Sequence, residues 1–142
     1  MLLAPYLTFY GNCRAAFEFY EMALGGKIMA MISFADMPAD ATAPEIANDL
    51  IMHAHMTIGE QTLMASDAPP EQAGSPTQGI CLSLQVDDAA EAETLFGRLA
   101  EGGTVQMPLQ ETFWATRFGM VTDRFGTPWM VNCSNDWRPD QP

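Results

Sequence analysis

The chain has 142 residues, 48% hydrophobic and 17% charged, which is typical of one soluble globular domain. Its formal net charge of −12 would repel phosphate backbones and anionic lipids, so neither nucleic acid nor a membrane is an expected partner. Cys13, Cys81 and Cys133 show no CxxC spacing, and the first residues lack the pattern of a secretory signal, so a cytoplasmic protein without disulfides is expected.

The first half of the chain predicts the order strand, helix, strand, strand, strand. The predicted elements are a strand at Tyr6 to Tyr10, a helix at Cys13 to Leu24, a strand at Lys27 to Phe34, and a hairpin of Leu50 to Ile58 with Gln61 to Ser66. Asn12 is the expected cap of the helix, and Gly25-Gly26 is its expected end. The residues from Ala35 to Asp49 read as a long acidic loop.

The second half repeats this order. A strand is predicted at Ile80 to Val86, then a helix capped by Asp87 and running to about Ala100, and three strands within Thr104 to Cys133. The Gly-Gly pairs that end the two helices lie 77 residues apart, which indicates an internal duplication. We predict a single domain over 1–142 with two βαβββ modules, about 1–67 and 79–134, and a flexible Pro-rich linker at 68–78.

Alternation along the strands separates an apolar face, expected to meet a helix, from a half-polar face. The apolar sets are Ile80, Leu82, Leu84 and Val86; Met52, Ala54, Met56 and Ile58; and Trp129 with Val131. The opposite sets are Cys81, Ser83 and Gln85; His53, His55 and Thr57; and Pro128, Met130 and Asn132. The half-polar face is either plain solvent-exposed surface or the lining of a ligand site.

Several strings spread over nearly the whole chain together resemble one family. They are Pro5-Tyr6-Leu7, Gly11-Asn12-Cys13, Ala16-Phe17-Glu18-Phe19-Tyr20, His53-Ala54, Ile58-Gly59, Leu63-Met64-Ala65-Ser66-Asp67, Phe113-Trp114, Phe118-Gly119, Asp123-Arg124-Phe125-Gly126 and Trp129-Met130. The chain resembles the PhnB-like proteins of the vicinal oxygen chelate (glyoxalase/bleomycin resistance/dioxygenase) superfamily. The resemblance implies an α+β fold in which two βαβββ modules form a half-open barrel around a ligand site, commonly completed in a homodimer.

Metal-dependent members of that superfamily take ligands from the first and last strands of each module. Carried over to this chain, those positions fall at Pro5 or Tyr6, Met64, Cys81 and Met130, and alternation favours Tyr6. None is the His, Gln or Glu that a divalent ion prefers, so neither a metal nor a cofactor is expected. Some relatives carry a methyltransferase label, but a duplicated βαβββ chain lacks the doubly wound sheet that usually binds S-adenosylmethionine.

Two histidines are the main candidates for chemistry. His53 and His55 lie two apart in a strand, so their side chains share a face about 7 Å apart. That spacing fits two ligands of one ion, an acid/base pair or plain surface. Zinc would need a third ligand, from Glu60 or a distant strand.

Aromatic and basic residues surround the last hairpin. Trp114 could wall a pocket or belong to the core, whereas alternation places Trp129 in the core. Arg117 and Arg124 could orient an anion, but in so acidic a chain a local ion pair with Asp123 or Glu111 is the favoured reading.

The sequence thus predicts a small-molecule binding protein whose ligand is largely apolar. The ligand-binding candidates are His53, His55, Met64, Cys81, Trp114 and Met130. The alternative is an enzyme, a small isomerase or lyase with His55 as general base, with or without a divalent metal. A third reading is a degenerate domain that acts only through a dimer surface. The sequence leaves open whether the protein is catalytic.

Overall fold

The structure, a computed structural model, describes residues 1–38, 49–74 and 77–136. The chain divides into two compact units, Met1–Ser75 and Pro76–Pro142, called unit 1 and unit 2 below. Each unit has the predicted order βαβββ, which confirms the α+β class and the duplication. Most of the predicted acidic loop, at 39–48, and positions 75–76 of the predicted linker lie outside the described residues.

Unit 1 is a four-stranded sheet with one helix. Its elements are β1 (Tyr6–Phe9), α1 (Cys13–Leu24), β2 (Lys27–Ser33), β3 (Ile51–Ile58) and β4 (Gln61–Asp67). The strand order is β1-β4-β3-β2, with β1 parallel to β4 and the other neighbours antiparallel. Two short 3-10 turns, Phe34–Asp36 and Pro70–Gln72, follow β2 and β4, and the second lies within the predicted linker.

Helix α1 covers one face of the unit 1 sheet with the predicted apolar stripe. Ala16, Phe17 and Tyr20 are fully buried, as are Ala54 and Met56 of β3 beneath the helix. The expected alternation fails at the start of β3, where Ile51 is fully buried and Met52 only half-buried. The pairing of β2 with β3 shifts by one residue at that point, which breaks the period of two.

The start of α1 differs from the prediction, because the Asn12 side chain makes no capping hydrogen bond. The backbone N–H groups of Gly11 and Cys13 donate instead to Oδ1 of Asp67, at 2.9 and 3.1 Å. Asp67 is the last residue of β4 and is only 7% exposed, whereas the predicted strand ended one residue earlier, at Ser66. The Asp67 carboxylate, which is distant in sequence, therefore accepts the backbone N–H groups at the start of the helix in place of the Asn12 side chain.

Unit 2 repeats the architecture. Its elements are β5 (Leu82–Val86), α2 (Ala89–Ala100), β6 (Thr104–Gln110), β7 (Ala115–Thr122) and β8 (Pro128–Ser134). The strand order is β5-β8-β7-β6, and β5 and β8 are the parallel pair. Trp129 and Val131 are 2% and 0% exposed, as the predicted alternation requires. Within the described residues no helix has the length and apolar character needed to cross a bilayer.

Two predicted boundaries in unit 2 are wrong. The first strand begins at Leu82 rather than Ile80, and Ile80 is 69% exposed instead of continuing the apolar face. Leu82 pairs with Trp129, and the residue before Trp129 is Pro128, whose missing N–H ends the ladder. The α2 cap is Asp88 rather than Asp87, because the Asp88 carboxylate accepts from the N–H of Ala90 at 3.3 Å.

Candidate functional site

The face of each sheet away from its own helix, here called the distal face, carries the candidate residues. In unit 1 the Cα register sets Tyr6 beside Met64, Met64 beside His55, and His55 beside Ala30. These residues form a row across β1, β4, β3 and β2. Tyr6 is 49% exposed, while Met64 and His55 are half-buried. The carried-over positions Tyr6 and Met64 are therefore neighbours, and His55 adjoins Met64.

Tyr6 and His53 form a polar contact on the same face. The Tyr6 hydroxyl lies 3.2 Å from Nδ1 of His53, and the two ring centroids are 5.9 Å apart. Since β4 lies between β1 and β3, the phenol reaches across that strand to make the contact. His53 is thereby held by Tyr6, which distinguishes its environment from that of His55.

His55 presents a buried nitrogen that is not hydrogen-bonded. Its Nε2 is inaccessible to solvent and has no partner within the part of the chain that the structure describes. An unpaired buried polar atom costs about 1–3 kcal/mol, so such atoms often mark the place where a ligand or water binds. Of the two predicted histidines, His55 is therefore the better candidate for ligand contact.

Unit 2 carries the corresponding row with different chemistry. Ser83 lies beside Met130, Met130 beside Met120, and Met120 beside Met107. Met130 is thus the counterpart of Met64, and Met120 is the counterpart of His55. The residue beside Met130 is Ser83 rather than Cys81, which precedes β5 and is half-buried.

A polar network on the unit 2 distal face was not predicted as part of a site. Nδ2 of Asn132 donates to Oε1 of Gln85 at 2.8 Å and to Oγ of Ser134 at 2.9 Å. Nε2 of Gln85 donates in turn to Oγ of Ser83 at 2.6 Å. Alternation had placed Ser83, Gln85 and Asn132 on one face, and that was the available signal. The bonds between them join residues up to 47 positions apart.

Aromatic rings lie next to this network. The Trp114 ring is 4.8 Å from that of Phe113 and 5.3 Å from that of Phe118, both edge-on. Phe118 is the cross-strand partner of Asn132. Trp114 is half-buried, in contrast to Trp129, whose indole donates to Oδ2 of Asp123 at 2.8 Å in the core.

The residues on the first and last strands do not fit a divalent metal. They are Tyr6 and Met64 in unit 1 and Ser83 and Met130 in unit 2, which offer a phenol, a hydroxyl and two thioethers. Zinc and the other ions of catalytic sites prefer imidazole, thiolate or carboxylate. Residues 1–38, 49–74 and 77–136 contain no group of three His, Cys, Asp or Glu side chains placed to hold an ion.

Both arginines of the last hairpin form ion pairs. Nε of Arg117 lies 3.1 Å from Oε1 of Glu93 in α2. Arg124 lies 4.0 Å from the Glu101 carboxylate and donates from Nε to the Glu101 carbonyl at 3.1 Å. Ion pairing was expected with Asp123 or Glu111, close by in the sequence, whereas the partners found at Glu93 and Glu101 lie on α2 and its C-terminal cap.

The two βαβββ units and their distal rows define a protein of the Glyoxalase/Bleomycin resistance protein/Dioxygenase superfamily. The family model matches residues 3–131, and the chain belongs to this superfamily. It is 39% identical to protein YjdN from Escherichia coli K12, over 93% of this chain and 95% of YjdN.

Solved structures show the same fold. Protein PA1353 from Pseudomonas aeruginosa is 52% identical and has a TM-score of 0.84, over 96% of this chain and 99% of that one. The PhnB protein from Bacillus cereus is 23% identical with a TM-score of 0.79, over 94% of this chain and 100% of that one, which is a likeness of fold. The predicted resemblance to PhnB-like proteins is thereby confirmed.

Proposed function

We propose that this protein binds a small, neutral, largely apolar molecule and acts as a binding module rather than through a divalent metal. The observation that supports the proposal most strongly is the buried Nε2 of His55, beside Met64 on the unit 1 distal face, which has no hydrogen-bond partner among the described residues. One hydrogen-bonding atom among apolar neighbours is the usual composition of a small-molecule site. Met64 supplies adaptable apolar contact, and Tyr6 adds an aromatic wall.

In unit 2 the predicted ligand-contact residues Cys81, Trp114 and Met130 remain part of the proposal. Trp114 and Met130 are half-buried on or beside the distal face, and neither is charged. A ligand that touches these side chains gains from burial of apolar surface, at roughly 25 cal/mol per Å². The net charge of −12 adds long-range repulsion against anions, which favours a neutral or cationic ligand over an anionic one.

The test is a screen of neutral and anionic aromatic fragments by ligand-observed NMR, repeated with His55→Leu and with His53→Leu as the matched control. Neutral compounds should bind, and His55→Leu should weaken the best of them about tenfold, the size of one lost hydrogen bond to a buried atom. His53→Leu should have the smaller effect, because Nδ1 of His53 is already bonded to Tyr6. Preferential binding of anions would contradict the proposal.

The metal-free part of the proposal has its own test. Protein purified without chelators should contain less than a stoichiometric amount of any transition metal. A stoichiometric ion that disappears in the His53→Ala and His55→Ala variants would overturn this part.

A second candidate function is an enzyme, an isomerase or lyase in which His55 is the general base. It is favoured by the same nitrogen, because an Nε2 without a hydrogen-bond partner is free to accept a proton from a bound substrate. Turnover distinguishes the two functions. A compound recovered chemically unchanged by mass spectrometry after long incubation supports binding alone, whereas turnover lost on His55→Gln supports the enzyme.

We also propose that the protein is a cytoplasmic homodimer. The dimer is proposed from the family resemblance. The cytoplasmic location is proposed because Cys13, Cys81 and Cys133 are free thiols, which a reducing compartment maintains. Light scattering on the purified protein should give about twice the 15.5 kDa chain mass. A monomer at micromolar concentration would contradict it.

A further inference from the structure

Unit 2 contains a second buried polar atom without a partner, and it belongs to a side chain outside the predicted set. Asn132 is 7% exposed, and its Oδ1 is bonded to no other group in the described part of the chain. Burial excludes the simplest explanation of an unpaired amide oxygen, which is contact with bulk water. The oxygen therefore has unused capacity to accept a hydrogen bond.

The position of the Asn132 amide is fixed by its neighbours. Both hydrogens of Nδ2 are used, one by Gln85 and one by Ser134, and Gln85 is held in turn by Ser83. If the amides of Gln85 and Asn132 both turned over, the bonds among the four residues would be retained and Nδ2 would take the place of Oδ1. In either orientation one polar atom of the Asn132 amide, Oδ1 or Nδ2, has no hydrogen-bond partner in the described part of the chain.

The neighbours of Asn132 on the distal face are apolar. Met130 lies two residues earlier on β8 and on the same face, and Phe118 is the cross-strand partner of Asn132. The Trp114 ring packs edge-on against Phe118, 5.3 Å between centroids. Cross-strand partners have Cβ atoms about 4.5–5.5 Å apart. A ligand group bonded to Asn132 would therefore lie close to the Phe118 ring.

Every member of the network is uncharged. Ser83, Gln85 and Ser134 are exposed and Asn132 is buried, and all four offer only hydroxyl and amide groups. An ion held against the buried Asn132 amide would find no opposite charge among them, which disfavours it. Arg117, the basic residue next to Phe118 in sequence, is paired with Glu93 of α2. The uncharged groups around Asn132 therefore favour a neutral ligand.

We infer that unit 2 carries a subsite, centred on the Asn132 amide, for a neutral amide group attached to a flat apolar body. A primary or secondary amide has both a donor and an acceptor, so it matches the open end in either orientation. The inference rests on the proposed small-molecule function and narrows the ligand to carboxamides, lactams and their like. Asn132, held in place by Gln85, would then determine which ligands bind.

The test uses benzamide as the probe, with benzoate and ethylbenzene as the charged and the apolar comparison compounds. Binding is followed in the ¹H–¹⁵N spectrum through the side-chain NH₂ of Asn132 and the indole N–H of Trp114. Benzamide should shift both signals and bind at least about tenfold more tightly than benzoate. Asn132→Leu should weaken benzamide about tenfold and leave ethylbenzene unchanged or tighter.

The matched control is Gln106→Leu, which removes an exposed amide of the same sheet that is bonded to Thr122 rather than to the network. It should leave all three affinities unchanged. If Asn132→Leu does not fold, Gln85→Leu removes a network partner and should also weaken benzamide. Equal binding of benzoate, or benzamide affinity unaffected by the Asn132 and Gln85 variants, would overturn the inference. The proposed function itself fails differently, when no neutral compound of the broader screen binds.

Discussion

The carboxylate of Asp67 accepts a hydrogen bond from the backbone N–H of Cys13 at 3.1 Å, although 54 positions separate the two residues. Its Oδ1 also accepts from Gly11, and its Oδ2 accepts from Ile51 at 2.9 Å. One buried side chain therefore joins the start of α1, the start of β3 and the end of β4. Hydrogen bonds to a buried charged acceptor are among the stronger ones, at about 1.5–3 kcal/mol each.

Replacing Asp67 by Asn should destabilise unit 1. The amide has a single acceptor oxygen, so at least one of the three backbone donors is left buried beside an NH₂ group. The free energy of unfolding should fall by about 2–4 kcal/mol, measured by urea denaturation. Asp87→Asn, at an exposed position, is the control and should change it by less than about 0.5 kcal/mol. Equal effects of the two substitutions would show that the Asp67 bonds contribute little.

The three thiols should differ in reactivity. Burial raises the pKa of Cys13 from 9.0 to about 12, and the neighbouring Asp67 carboxylate adds to the effect. Cys13 and Cys133 are 0% and 4% exposed, while Cys81 is half-buried. Iodoacetamide at pH 8 should therefore modify native protein at Cys81 first, and urea-unfolded protein at all three, as read by mass spectrometry. Rapid native modification of Cys13 would contradict the burial described here.

The same thiol predicts a loss of stability at alkaline pH. Above pH 9 the unfolded state releases the Cys13 proton while the folded state retains it, so the free energy of unfolding falls with rising pH. The contribution is complete below pH 9 and is lost as the pH approaches 12, at about 1.4 kcal/mol per unit. Denaturation of Cys13→Ala across this range should show a shallower decline than the wild type. Identical slopes would refute the assignment.

The two described tryptophans should differ in their contribution to stability. Trp129→Phe removes the indole N–H that donates to buried Asp123, and should cost about 2–3 kcal/mol. Trp114→Phe keeps an aromatic ring against Phe118 and should cost less than about 1 kcal/mol. Thermal and urea unfolding of both variants measure the difference. A larger loss at Trp114 would place that residue in the core instead.

The repeated glycines predict unequal effects in the two units. A Cβ at Gly26 would lie 2.7 Å from Sδ of Met56, a side chain that can move. A Cβ at Gly103 would overlap the backbone carbonyl oxygen of Thr122, at the end of β7, and would lie 3.0 Å from the Cα of Asp123. Backbone atoms held in a sheet cannot move aside as easily as the flexible side chain of Met56. Gly103→Ala should cost about 2–3 kcal/mol and Gly26→Ala about 1 kcal/mol or less, compared by urea denaturation. A larger loss of stability for Gly26→Ala than for Gly103→Ala would mean that the backbone at the end of β7 moves aside more easily than the Met56 side chain.

Local patterns in the sequence were enough for the order of the elements and for the helix-facing side of strands such as β8. Helix α1 was predicted with its observed bounds because the stripe of Ala16, Phe17 and Tyr20 and the glycines after Leu24 lie within the helix or next to it. The burial of Trp129 and Val131 followed from alternation in the same way.

Features that depend on partners from distant strands were missed. Asp67 looked like a loop residue because the three amides that it binds are 16, 54 and 56 positions away. Cys81 looked equivalent to Tyr6 until the register placed Ser83 beside Met130. Asn132 was predicted on the half-polar face, but its bond to Gln85 is fixed only when β5 pairs with β8.

The bonds of Asp67 also have a consequence for local opening of the chain. The amides of Gly11, Cys13 and Ile51 all donate to the same carboxylate, so displacement of Asp67 would release all three at once. Amides protected by one opening event exchange with solvent deuterium at a common free energy. The beginning of the first helix and the beginning of the third strand should therefore become accessible together, as one cooperative unit.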